Sequence, residues 1–367
     1  MHFKEGVHLC NHLSNSLNTF TNKVACLEAL EELRIKMEKG EVVSFLNFSE
    51  FQPPTYRLDF VADLAKFLNT ENDGLWLVKK ANSNQGKGIS FISDLKAYKE
   101  ELLTVKEQEP DSTDIFLEKL KENVEAVEHQ IQEKKKWQNL NHLVKTMEKT
   151  VVQRYIEKPL LYKGKKFDIR CFMYIACCKP FLVLFNEGYL RCSLNDYNLD
   201  TFGPQEKMTH ITNQSVQKKH PQYKELKDQS VQPTGILAEY LVETGKLERR
   251  EDFQEKVLAK FIEVMRLLFV TVKDRLDAKF GCFELFGFDF LLDEDLNVTF
   301  IECNTNPALF TDTHTQKDHL PKLVQDTIDT TLALNPAGQV EASSLVEKFV
   351  AEKRYEQMRL PYHLVYH

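Results

Sequence analysis

The chain has 367 residues, 42% hydrophobic and 28% charged, a balance ordinary for a globular protein of more than one packed domain and unlike that of a disordered chain. Its formal net charge of −7 argues against a general nucleic-acid binder, although "YKGKK" is locally basic. No apolar run reaches the roughly 18 residues that span a bilayer, and the start "MHFKEGVHLCNHLSNS" has no apolar signal core, so a cytoplasmic protein with no membrane partner is expected.

In chain order, "KVACLEALEELRIKMEK" (23–39) has apolar residues at helical spacing and ends at Gly40, so it reads as an amphipathic helix, and a shorter one is expected in "DFVADLAKFLN". "LWLVKK" and "GISFIS" read as strands joined by "NSNQGKG" (82–88). A plain turn needs only the glycines of that loop. A cover for nucleotide phosphates needs more: exposed backbone N–H groups, a lysine, and ligands elsewhere for the accompanying Mg²⁺. From about 105 to 149 the chain is densely charged, with Leu120, Val124, Val127 and Ile131 on one stripe, which predicts a helical insertion packed against the body.

"TVVQRYIE" restores strand character up to the Lys158–Pro159 step. "KFDIRCFMYIAC" is the clearest alternating strand: Phe167, Ile169, Cys171 and Met173 share one face, and Lys166, Asp168 and Arg170 the other. Residues 252–277 read as the longest helix, with Val257, Phe261, Val264 and Leu268 as its core stripe. The eight cysteines form no C-x-x-C pair and no zinc spacing with histidine, so reduced thiols are expected. Helices and strands mix without a βαβ period or a repeat, which favours α+β over a doubly wound sheet.

The most informative stretch is "FELFGFDFLLDEDLNVTFIECNTNP" (283–307). Phe286, Phe288 and Phe290 alternate against Asp289, and "DEDLN" supplies a turn, so antiparallel pairing sets Asp289 opposite residue 301 or 302. Glu302 and Asn304 then share a face, giving a hard-oxygen set suited to Mg²⁺ that also binds substrate phosphates. One such acidic pair could simply face water. Here the carboxylates lie within apolar strands, where a lone charge is costly unless paired or metal-bound. With Lys79, Lys87 and the charged strand these parts make an ATP site, without the G-x-x-x-x-G-K-[ST] of a Walker loop or a Rossmann G-x-G-x-x-G.

Taken in order, "WLVKKANSNQGKGI", "VVQRYIEKPLLYKGKKFDIR", "EGYLRCS", "HITNQSVQK" and "ELFGFDFLLDEDLNVTFIECNTNPAL" resemble the tubulin tyrosine ligase-like family of protein–amino acid ligases. "PPTYRLDF" and "NTNPALFTDT" lean towards its polyglycylase branch. The resemblance implies an ATP-grasp-like α+β fold with mixed or antiparallel sheets and flanking helices. It divides the chain into an N-terminal segment 1–73, a central subdomain 74–160 holding the 105–149 insertion, a C-terminal subdomain 161–335 and a tail 336–367.

It also implies roles. Lys79 would hold phosphate oxygens under a loop containing Gln85, Gly86, Lys87 and Gly88. Gln153, Arg154, Tyr155 and Ile156 would border the adenine, and Lys166, Asp168, Thr212 and Asn213 would contact the nucleotide. Arg170, Arg191 and Lys218 would bind the acceptor carboxylate or the amino acid, and Asp289, Glu302 and Asn304 would hold Mg²⁺. The catalytic set is then Lys79, Arg170, Arg191, Asn213 and Glu302. Cys303 is expected to point into the core by alternation, and His210 to be structural. The implied reaction joins a free amino acid, glycine before glutamate or tyrosine, to a carboxylate of tubulin or an acidic protein tail through an acylphosphate, consuming ATP in the cytoskeleton or cilium. A non-catalytic tubulin-binding relative is the alternative from another class.

Overall fold

A computed structural model of the chain describes residues 3–71, 74–81, 88–104, 149–200 and 207–367. Most of the glycine loop, with Gln85, Gly86 and Lys87, and nearly all of the charged insertion lie outside the described residues. The chain divides into two compact units, Pro53–Glu157 and the combination of Met1–Gln52 with Lys158–His367.

The chain opens with the short strand β1 (Cys10–Asn11) and helix α1 (Lys23–Glu38). The Asn22 side chain accepts the Val24 N–H at the start of α1, and Gly40, at φ 71°, follows its end. The Pro53–Glu157 unit then contains β2 (Thr55–Arg57), α2 (Val61–Leu68), β3 (Trp76–Lys80), β4 (Ile89–Ile92), α3 (Leu95–Thr104) and β5 (Thr150–Arg154). Its strands pair antiparallel in the order β2-β5-β3-β4. Trp76, Ile92 and Val152 project from one face onto Leu64, Phe67, Leu95 and Leu102, so period-two alternation buries one face and leaves Leu77, Lys79 and Gln153 on the other.

The larger unit continues with β6 (Leu161–Tyr162), β7 (Lys165–Cys178), β8 (Phe181–Cys192), β9 (Val231–Pro233), α4 (Thr234–Glu243), α5 (Ala259–Val272), β10 (Cys282–Leu292), β11 (Val298–Asn304), α6 (His314–Leu334), α7 (Ser343–Ala351) and β12 (Tyr362–Tyr366). Its eight-stranded sheet runs β1-β10-β7-β8-β12, with β11 on β10, β6 on β7 and β9 on β8. Only β1 is a parallel neighbour among these described pairs. One face packs on α1 and α5, where Phe261 and Phe290 stack with ring centroids 4.5 Å apart. The other face packs on α6 and α7 through Phe172, Tyr174, Leu320, Leu323 and Val346. The central strands are therefore buried on both sides.

A bulge interrupts the β7–β8 ladder. Arg170 pairs with Tyr189 and Phe172 with Asn186, so Glu187 and Gly188 together oppose Cys171 alone. Gly188 sits at φ +67°, and a Cβ there would lie 1.8 Å from the Arg170 carbonyl oxygen, so only glycine fits without a shift. The extra residue also switches the parity of β8. Val183 and Phe185 share a core with Leu190 and Cys192, odd positions before the bulge and even positions after it. Arg191 is thereby carried to the opposite face, alongside Asp168 and Arg170.

Packing divides the chain at places other than 73 and 160. Residues before 53 belong with the larger unit because β1 pairs with β10 and Leu30 and Leu33 of α1 join the core of Phe288. The stretch after 53 belongs with the smaller unit because β2 pairs with β5. The C-terminal segment is no detached tail: β12 extends the sheet beside β8, and the Asp326 carboxylate accepts the N–H groups of Arg359 and Leu360 at 3.2 and 3.1 Å. The expected 252–277 helix is present: the backbone is helical without a gap over 252–275, with a π turn at Gln254–Leu258 before α5 and a 3-10 turn at Lys273–Arg275 after it, while α6, 21 residues, is a helix that the sequence pattern does not announce. Threonines and Pro321 within α6 hide its pattern. Among the described residues all eight cysteines are free, and no helix is long and apolar enough to cross a membrane.

Gly188→Ala is expected to cost about 2 kcal/mol or more, from the positive φ and the Arg170 oxygen together. A chemical-denaturation midpoint unchanged from the wild type would show that the bulge relaxes freely.

Candidate active site

The charged face of β7 meets its partners directly. Asp168 pairs in register with Arg191 of β8, and Arg170 with Asp289 of β10. Arg191 donates from Nε and Nη2 to the two Asp168 oxygens, both at 2.6 Å, and its Nη2 also lies 2.8 Å from Asp289 Oδ2. Arg170 donates to Asp289 Oδ1 at 2.5 Å and to Oδ2 at 3.1 Å. Thr212 Oγ1 closes the row by donating to Asp168 Oδ2 at 2.5 Å. Gly287 leaves room for the row, since a Cβ there would stand 3.1 Å from Arg170 Nε.

All four charged side chains are buried, and their formal charges cancel. Burial alone would raise the Asp289 carboxyl, but Arg170 and Arg191 outweigh it and hold Asp289 below the ordinary aspartate range. Burial likewise opposes the charged form of Arg191, and Asp168 and Asp289 more than offset it. Bidentate geometry makes such pairs strong, while loss of one partner strands a charge in a dry place.

On the adjoining strand, Asp289 faces Glu302, and a register shift follows at Phe290, which pairs with Phe300. Asn304 Nδ2 donates to Glu302 Oε1 at 3.1 Å, so a carboxylate and an amide lie side by side, both only partly buried. Cys303 between them is buried in the core. Glu302 and Asn304 are hard-oxygen donors of the kind Mg²⁺ takes together with substrate phosphates and water. Asp289 differs from them: both of its oxygens are held by guanidinium groups, so as a third ligand it would have to give up part of that pairing. Among the described residues no cluster of three or more His, Cys, Asp or Glu side chains is placed to hold a metal.

In the smaller unit, Lys79 Nζ donates to Gln153 Oε1 at 2.6 Å, and Gln153 Nε2 donates to Thr55 Oγ1 at 2.9 Å. Three strands thus bring Lys79 and Gln153 together on the face away from the apolar core. Gly88, at φ +70°, immediately precedes the return strand β4, and its carbonyl accepts the Lys80 N–H. Tyr155 is buried, donates its N–H to Leu75 O at 2.9 Å, and meets Phe91 edge-on. Ile156 is partly buried. The Arg154 guanidinium lies over the Trp76 ring and 3.5 Å from Glu157, on the other face from Gln153.

The remaining expected residues are less convergent. Lys166 is buried at the start of the β7 row. Asn213 accepts the N–H groups of Val216 and Gln217 through its carbonyl, capping a short turn. Lys218 is half-exposed, pairs with Asp312 and stands 5.8 Å from the Phe310 ring centroid. Sequence reasoning missed Gln217, which is fully buried, accepts the Leu194 N–H and donates to the carbonyls of Met208 and Ile211. It fixes the turn that delivers Thr212 to Asp168. His210 is buried against Tyr197.

A model of the tubulin–tyrosine ligase family matches residues 1–340. The chain belongs to the tubulin–tyrosine ligase family. Its mixed and antiparallel sheets and flanking helices accord with the ATP-grasp-like build expected of that family. The chain is 32% identical over 339 residues to the protein polyglycylase TTLL10 of Rattus norvegicus, covering 90% of this chain and 46% of that protein. It is 32% identical over 291 residues to the inactive polyglycylase TTLL10 of Homo sapiens (78% and 39%), and 26% identical over 283 residues to tubulin glycylase 3D of Tetrahymena thermophila (73% and 23%). The chain spans less than half the length of these three relatives.

For this member of the family, Arg191→Met is expected to lose about 3–5 kcal/mol of folding stability, because it leaves Asp168 and part of Asp289 uncompensated in a buried place. A loss under about 1 kcal/mol, the range of a surface pair, would contradict the buried row. The pH dependence has a definite sign. Because the Asp289 carboxyl is depressed in the fold, its stabilisation is complete at neutral pH and is lost as pH falls below the ordinary value of 3.8. Asp289→Asn should therefore be less stable than the wild type at pH 7, with the gap narrowing in acid; a gap independent of pH would contradict the assignment.

Proposed function

We propose that this chain is the ligase core of an ATP-dependent protein–amino acid ligase, and that it adds glycine to glutamate side chains or existing glycine chains of tubulin or another acidic protein. The observation that carries the reading is the interlocked Asp168–Arg191–Asp289–Arg170 row, with Glu302 opposite Asp289 on the next strand. Its support in kind comes from relatives whose names include polyglycylase and tubulin glycylase.

A guanidinium carries five N–H donors in a fixed fork. Those of Arg170 and Arg191 not committed to aspartate can receive the acceptor carboxylate or the carboxylate of the incoming amino acid. Because the aspartates hold them rigid, little ordering is needed when substrate arrives. Lys79, anchored by Gln153, would neutralise phosphate oxygens of ATP. Glu302 and Asn304 would hold Mg²⁺, which when bound supplies charge neutralisation for the transferring phosphoryl group. The products are an amide, ADP and phosphate, and no nucleophilic enzyme side chain is required. A tubulin-bearing cytoskeleton or cilium is the matching location.

A second reading is kept by one finding: the similar human protein is named inactive, so a fold of this kind can persist without turnover. The purified chain with Mg-ATP, an acidic tubulin tail and an equal mixture of glycine, glutamate and tyrosine separates the cases. Mass spectrometry of the acceptor should show glycine increments. It should show none with Glu302→Gln, whose thermal midpoint stays near that of the wild type because volume is kept and only charge removed. Glutamate increments would overturn the choice of amino acid, absence of any transfer would favour the inactive reading, and turnover by Glu302→Gln would remove that residue from the reaction.

A further inference from the structure

The bulge that carries Arg191 onto the charged face is held by side chains to which the proposed ligation gives no role. Asn186 is completely buried and lies between Phe172 of β7 and Tyr362 of β12. Its Nδ2 donates to the Pro361 carbonyl at 3.1 Å. That bond fixes the orientation of the amide, so Oδ1 is its acceptor atom. Oδ1 receives the Gly188 N–H at 3.2 Å and lies 2.9 Å from Nε2 of His319 on α6. An acceptor there requires the hydrogen of the imidazole to be on Nε2. Burial pushes the His319 pKa down to about 4, which keeps the ring neutral.

The ring is also clamped. It stacks on Phe172, centroids 6.2 Å apart at 20°, and meets Tyr189 edge-on at 6.1 Å and 82°. Tyr189 is the register partner of Arg170, and Phe172 is the next residue after Arg170 on the same face of β7. His319 therefore touches both strands at the point where the ladder changes step. Gly188, whose N–H the amide holds, is the residue whose backbone passes against the Arg170 carbonyl.

We propose that His319 and Asn186 form a latch that fixes the Gly188 bulge and through it the aim of Arg170 and Arg191, making both positioning residues for the proposed ligation. The latch itself rests on the geometry, and its effect on turnover rests on the ligation reading. Neither side chain touches the charged row. Each acts through the step in the ladder that decides which way Arg191 points.

Two variants separate the latch from simple packing. His319→Phe keeps an aromatic ring on Phe172 and Tyr189 but removes the donor; His319→Gln restores an N–H donor without the ring. Hydrogen exchange of the full chain, followed by mass spectrometry of peptides spanning 183–192, should show the Gly188 region of His319→Phe exchanging about tenfold faster, with α5 and β10 unchanged. In glycine transfer, His319→Phe should lower kcat about 10- to 100-fold with KM for Mg-ATP within about twofold, and His319→Gln should recover most of both effects. Wild-type exchange at the bulge in His319→Phe would overturn the latch, and faster exchange with unchanged kcat would overturn its role in aiming the arginines. The exchange measurement needs no turnover, so it decides the latch even if the wild-type chain transfers no amino acid, a result that would instead remove the ligation reading.

Discussion

The larger unit depends on placing two arginines and two aspartates in a dry sheet with no charge left over. Asp289 is 1% exposed and holds Arg170 and Arg191 at once, while Arg191 also holds Asp168. Any one of these side chains alone would be costly at that depth, and together they form a neutral, hydrogen-bonded row. The requirement fixes strand register on both sides of β7, because a slip of one residue would send every member to the apolar core.

The other features serve this requirement. The bulge at Glu187 and Gly188 lets β8 contribute leucine and phenylalanine to one core and arginine to the opposite face within a single strand. Gln217 ties down the turn that carries the Thr212 hydroxyl to Asp168. The helices cover the sheet's two apolar faces and leave the row to be satisfied by the strands themselves and by Thr212. In the smaller unit Lys79 is only partly buried and donates to the side-chain amide oxygen of Gln153.

Part of this arrangement is legible in the chain's own spacing. The alternation in "KFDIRCFMYIAC" places Asp168 and Arg170 on one face, and the "DEDLN" turn sets Asp289 opposite 301 or 302, where Glu302 lies. Alternation cannot show Arg191's face, since counting by twos from Phe185 puts residue 191 in the core; only the extra bulge residue reverses this. Nor can spacing show that Asp289 is held by arginines, because Arg170 lies 119 positions away and strand order is not written locally. Helix α6 is hidden by its threonines and proline. The strand in "PYHLVYH" is hidden by its shortness and by the lack of any local cue to its partner. The family resemblance points to Arg170, Arg191 and Asp289 as functional residues but not to their mutual pairing.

The claim that the buried row is one coupled unit is tested most directly by a double-mutant cycle between Asp289→Asn and Arg191→Gln, read as unfolding free energies at pH 7. Coupling predicts that the double variant loses less than the sum of the single losses by about 1 kcal/mol or more. Losses that add to within about 0.3 kcal/mol would mean that the two side chains are independent, and would contradict the row as the constraint that organises this sheet.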